Sequence, residues 1–179
     1  MVVKHFGLDP EADIKVLALG SDGARLAALK EGVVDVIIVA PPVDFEGQKM
    51  GFNIISRAGD IFRFPYNGLA TSVKKISENP DEVKRVLRAL IKANGFIRKN
   101  KEGTVQVLVD WAKTKPEFAA AYDSSVGVFS SDGTIPEDGL RIVIENFRKS
   151  MNIARQVALN EVSDTNPLRE AQRELGIKK

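Results

Sequence analysis

The residues Gly20-Ser21-Asp22-Gly23 separate an apolar run from an alanine-rich helical pattern, and their types suit two different tasks. A turn that leaves the carboxyl end of a strand and enters a helix presents unpaired N–H groups and a partial positive charge. Such a turn holds a polar or anionic ligand group. Ser21 and Asp22 are equally favoured as plain helix caps, which satisfy the same N–H groups from within the chain. The spacing matches neither a phosphate-binding P-loop nor a dinucleotide fingerprint. From the local pattern alone capping is favoured, since caps far outnumber binding loops, and ligand binding is the second reading.

Two further stretches carry residues that can touch a guest molecule. In "VAPPVDF", Val39 to Phe45, the consecutive prolines give a stiff rim beginning at Ala40 and Pro41. Asp44 either accepts from a ligand amine or caps the helix that follows. In "FPYNGL", Phe64 to Leu69, Tyr66 and Asn67 place an amphipathic ring and an amide on a turn. Tyr66 can stack on a ligand or pack at a junction between two lobes. The candidate ligand residues are therefore Gly20, Ser21, Asp22, Gly23, Ala40, Pro41, Asp44, Tyr66 and Asn67.

No catalytic machinery is expected. His5 is the only histidine, and there is no cysteine, which rules out thiol catalysis, disulfides and thiolate metal sites. No cluster of His, Asp and Glu has metal-ligand spacing, and neither a metal nor a cofactor is expected. Ser124-Ser125 and Ser130-Ser131 lie in a turn-rich region without a histidine base nearby. The net charge of +2 comes with no basic stripe interleaved with aromatics, so nucleic acid is not an expected partner. No apolar run reaches the roughly 20 residues that span a bilayer. The opening residues show no signal peptide.

These residues must be positioned by an alternating pattern. Val2–Phe6 reads as the last turn of a helix stopped by Gly7 and Pro10. Ile14–Leu19, Val33–Ala40 and Phe52–Ser56 are strand-length apolar runs. Helical patterns over Asp22–Glu31 and up to about Met50 separate them, which predicts a βαβαβ parallel sheet. A possible strand at Leu69–Val73 precedes helices only. Asn79-Pro80-Asp81-Glu82 starts one helix, with Val83, Val86, Leu87, Leu90, Ile91 and Ile97 on one face and Lys84, Arg85, Arg88 and Lys92 on a solvated one. Helices are also predicted at Thr104–Thr114, Pro116–Phe129 and Asn166–Leu175. Another follows a capping box at Thr134-Ile135-Pro136-Glu137. Residues 1–62 carry six basic and nine acidic residues, and 63–179 carry twenty and fifteen, so two units are expected, divided there.

Taken in order, these motifs resemble solute-binding proteins of bacterial ABC transporters. The nearest group is the sulfonate, taurine, nitrate and thiamine-precursor binding family, with the type II periplasmic-binding-protein fold. The stretches that carry the likeness are "HFGLDPEADIKVLALGSDGARLAALKEGVVDVIIVAPP", "GFNIISRAGD", "PYNGLATS" and "ENPDEVKRVLRALIKANGFIRKN". The resemblance implies two α/β lobes closing on a small molecule. Residues 1–62 would be the second lobe, its start missing, and 63–179 the helical carboxyl-terminal part of an incomplete first lobe. It further implies a membrane permease as partner and a periplasmic or membrane-anchored extracytoplasmic location for the full-length protein. Arg25 would make a salt bridge one turn inside its helix. Apolar surface left open by the absent half-lobe can drive self-association. Two other classes share the fold: effector-sensing domains of LysR-type regulators, and pyrimidine-precursor synthases. The regulators need a helix-turn-helix and the synthases a cysteine-rich motif, and this sequence has neither.

Overall fold

A computed structural model describes residues 1–65, 67–113 and 119–177. Wherever the sequence carries a complete set of start and stop signals, the backbone follows them into a helix. Helix α2, Asp22–Lys30, begins with Ser21 Oγ accepting from Ala24 N at 3.3 Å. It ends at Gly32, whose φ of +69° lies in the left-handed region. Val33 N then donates to Ala28 O and Gly32 N to Leu29 O, a Schellman closure that occupies the last free carbonyls. Leu26 is buried against Gly47 of helix α3, Val43–Lys49, where even one added carbon would lie 3.5 Å from the Leu26 methyl.

The second half is built around helix α6, Pro80–Lys99. Pro80 occupies its first turn, and Asp81 and Glu82 face the positive end of the helix dipole. The inward stripe buries Val83 and Ile91. Helix α11, Asn166–Glu174, packs along α6, with Ala171 fully enclosed and Gln172 donating to Asp132 O at 2.8 Å. Lys84 reaches Glu170 at 3.4 Å, and Arg88 pairs with Glu174. Hydrogen bonding to Asp81, and then to Glu170, holds the Lys84 ammonium above its ordinary value. The face predicted to be solvated is thus partly the seam between two helices.

Helix α7, Lys101–Ala112, starts where Asn100 Oδ1 accepts from Gly103 N at 2.8 Å. Helix α8, Ala119–Ser125, runs into a single 3-10 turn, Val126–Val128. Helix α9, Glu137–Ser150, is seated by Gly139, because a side chain there would place its first carbon 2.4 Å from Arg63 O. The capping box predicted at Thr134-Ile135-Pro136-Glu137 does not form, since Pro136 precedes the helix without a side-chain cap. The Thr134 hydroxyl instead accepts from Gln172. Short helices at α1 Val2–His5, α4 Ala58–Ile61, α5 Val73–Glu78 and α10 Leu159–Val162 complete the chain.

The predicted parallel sheet is a correction. No strand is present among the described residues, and segments 14–19, 33–40 and 52–56 exchange no backbone hydrogen bonds with one another. None of their apolar side chains is buried, and Val16 at 77% and Ile38 at 80% exposure lie largely in solvent. Helices α2 and α3 do pack side by side, as crossover helices do, but no ladder lies beneath them. The expected strand at Leu69–Val73 is also absent, because Ser72 caps α5 by accepting from Lys75 N at 3.0 Å. A helix keeps its hydrogen bonds within one segment, whereas a strand depends on neighbours that β-branched runs do not specify. The result is a mostly helical chain.

These contacts rank the costs of substitution. Ile91→Ala should cost about 2–4 kcal/mol, as core truncations do. Gly139→Ala should cost about 1–3 kcal/mol through overpacking. Trp111→Ala, at a side chain 84% exposed, should stay within about 0.5 kcal/mol. Urea unfolding followed by circular dichroism measures all three.

Candidate functional site

The turn at Gly20–Gly23 and the rim at Ala40-Pro41 lie side by side because one carboxylate joins them. Asp22 Oδ2 accepts from Ala40 N at 2.9 Å, and its Oδ1 meets the Arg25 guanidinium at 3.1 Å. The same Arg25 nitrogen donates to Ile38 O at 2.8 Å. Asp22 and Arg25 thus form a clamp from the first turn of α2 onto the segment that precedes α3. The ion pair expected of Arg25 is present, and its reach to Ile38 is an addition that no local motif signals.

Gly20 adopts φ +76°, a left-handed conformation that costs glycine little, and the space beside its α-carbon is open. The space beside Gly23 is open as well. Ser21 is exposed, and its oxygen accepts the capping bond while its hydroxyl hydrogen is left to donate. Ala40 O is occupied by Val43 N at 3.0 Å. Pro41 is exposed at the tip, and the Pro41-Pro42 bond is cis.

Asp44 has a different task. Its Oδ2 pairs with Arg57 at 3.0 Å, its Oδ1 accepts from Phe45 N at 2.8 Å, and its side chain is only 10% exposed. Both oxygens are therefore engaged inside the chain, at the start of α3 and across to the segment before α4. Arg57 sits thirteen residues away, so sequence spacing does not announce the pair. Of the remaining candidates, Tyr66 lies outside the described residues. Asn67 is exposed and makes no hydrogen bond to the rim among the described residues.

An open hollow of about 430 Å³ is lined by Gly59–Arg63 together with Asp138 and Ile142 of α9. None of the rim residues lines it. Asp60, Arg63 and Asp138 bring two carboxylates and one guanidinium to its wall, and none of the three makes an ion pair among the described residues. No group of histidine, aspartate and glutamate among the described residues is arranged to hold a metal ion.

The Asp44–Arg57 pair predicts an asymmetric response. Arg57→Gln strands a nearly buried carboxylate and should cost about 1–3 kcal/mol. Ser21→Ala removes only a cap and should cost about 1 kcal/mol. Chemical denaturation of the two variants beside the wild type decides the order.

Comparison with known proteins places the early part of the chain in a family. Over 85 residues the chain is 34% identical to the riboflavin-binding protein RibY of Chloroflexus aurantiacus. That match covers 46% of this chain and spans 23% of the relative's length. No solved structure matches. A family model described as the NMT1-like family matches residues 1–112, which hold the clamp, the rim and the Asp44–Arg57 pair. The chain belongs to the NMT1-like family, whose members are similar to the substrate-binding proteins of ABC transporters.

Proposed function

We propose that the protein to which this chain corresponds is the solute-binding component of an ABC importer. It takes up a small polar or anionic organic molecule and passes it to a membrane permease, from a periplasmic or membrane-anchored extracytoplasmic position. The observation that carries this reading is the clamp through Asp22 and Arg25, which sets the glycine-bounded turn beside the proline rim. Two loop tips held at one place, with open space beside Gly20 and Gly23, make the kind of edge on which a ligand rests. Family membership supports the same reading.

On this reading Gly20, Ser21, Gly23, Ala40, Pro41, Tyr66 and Asn67 meet the ligand, whereas Asp22 and Asp44 hold the loops that carry them. The two lobes expected from the sequence, divided near residue 62, would close on the guest through contacts made only when they meet. Uptake requires no bond to be made or broken, so we assign the chain no chemical step. Because the named relative binds riboflavin, riboflavin is the first ligand to try. The finer sulfonate, taurine, nitrate or thiamine-precursor subtype belongs to the same trial. Exposed apolar residues such as Val16, Val36 and Ile38 also favour self-association of this chain.

A thermal-shift screen followed by calorimetry tests the function directly. The probes are riboflavin, a hydroxymethylpyrimidine, taurine and nitrate. A true ligand at one hundred times its Kd should raise the melting temperature by about 5–10 °C. Failure of all four to bind, or turnover of any of them, would contradict the proposal.

A further inference from the structure

We infer that Asn67-Gly68 is a site of spontaneous covalent change, where the asparagine amide is lost as ammonia through a succinimide. Asparagine precedes glycine at two places in the chain, Asn67-Gly68 and Asn94-Gly95. The pair suits this reaction because no side chain on the glycine shields its amide nitrogen. The Gly68 nitrogen attacks Cγ of Asn67, a new N–C bond forms, and the bond from Cγ to the amide nitrogen breaks. The proton lost by the Gly68 nitrogen departs with the ammonia. Water then opens the ring at either carbonyl. One opening leaves aspartate at position 67, and the other leaves an isoaspartate whose main chain runs through the former side chain. No oxidant or cofactor takes part, and water is the sole co-reactant.

The fold exposes one of these two pairs and locks the other. Asn67 and Gly68 are both exposed, in the segment that joins α4 to α5 without regular structure. Neither the Asn67 amide nor the Gly68 N–H makes a hydrogen bond among the described residues, so the two groups are free to meet. Asn94 lies half-buried inside α6, and its amide donates to Ser130 O at 3.0 Å. Gly95 N is an interior helix amide, which donates to the carbonyl four residues back. Ring closure there would break both bonds and unwind the helix that carries the buried Val83 and Ile91. Space beside the glycine does not separate the two pairs, since an added carbon would meet nothing within 4 Å at either one. Hydrogen bonding separates them. Each event at Asn67 lowers the formal net charge of +2 by one and sets a carboxylate next to Tyr66 in sequence. The effect of that charge on a guest molecule rests on the solute-binding reading, whereas the chemistry does not.

Peptide mapping of the full chain, aged in mildly alkaline buffer made with heavy-oxygen water, tests the inference. Trypsin releases the two asparagines in separate peptides, residues 64–74 and 93–98. In the folded chain Asn67 should be converted at least about tenfold faster than Asn94, because only the second needs the helix to open. One heavy oxygen should enter per event, and isoaspartate should appear among the products. Unfolding in urea should bring the two rates together, since both pairs are then equally open. Asn67→Gln should abolish the change in its peptide, with circular dichroism confirming an unaltered helical content. Equal rates in the folded chain would overturn the inference, as would an Asn67 that persists while the unfolded chain reacts. Aspartate formed without isoaspartate would overturn it too, because that outcome marks direct hydrolysis of the amide. Ligand binding enters none of these readouts, so their failure and the failure of the solute-binding reading are separate results.

Discussion

The Asp22 carboxylate is the interaction on which the early part of this chain depends. Segments 14–19 and 33–40 exchange no ladder hydrogen bonds, so nothing in their backbones aligns them. The alignment comes from one side chain that accepts from Ala40 N and from a neighbouring guanidinium that donates to Ile38 O. Both groups sit on the first turn of α2, so the helix itself carries the clamp. Charge-assisted hydrogen bonds are short and directional, which suits them to fixing loop tips with few contacts. Asp44 and Arg57 repeat the device one connection later.

This division of labour changes how the candidate residues are understood. Acids at helix beginnings in an α/β pattern invite assignment to a ligand, since they sit where guests bind. Here the acids hold the structure, and the residues left open are small, hydroxylated or cyclic. Gly20 and Gly23 leave room, Ser21 can still donate, and Pro41 stands at the tip.

Helices were legible in the sequence because their signals are local. Ser21 and Gly32 bracket α2, and Pro80 with two acids opens α6, all within a few residues of the hydrogen bonds they govern. Where a signal depended on distant partners, legibility failed. Thr134 had the spacing of a capping box, yet its hydroxyl is taken by Gln172, 38 residues away. Lys84 and Arg88 read as a solvated face, yet they pair with Glu170 and Glu174 of α11. The β-branched run at Val33–Ala40 showed strand propensity but could not specify the neighbour that strand pairing needs. Within the candidate site, the bonds that set the Gly20 turn beside the Ala40 rim, from Ala40 N to Asp22 and from Arg25 to Ile38 O, were beyond spacing arguments, as was the Asp44–Arg57 pair.

The most direct measurement of the clamp is amide hydrogen exchange, resolved by residue, in the unliganded chain. The Ala40 N–H is bonded to Asp22, whereas the Val36 N–H makes no backbone hydrogen bond among the described residues and its side chain is exposed. Ala40 should exchange much more slowly than Val36, and Asp22→Ala should erase the difference. Equal exchange at Ala40 and Val36 in the wild type would contradict the clamp, and with it the rim that every functional statement here requires.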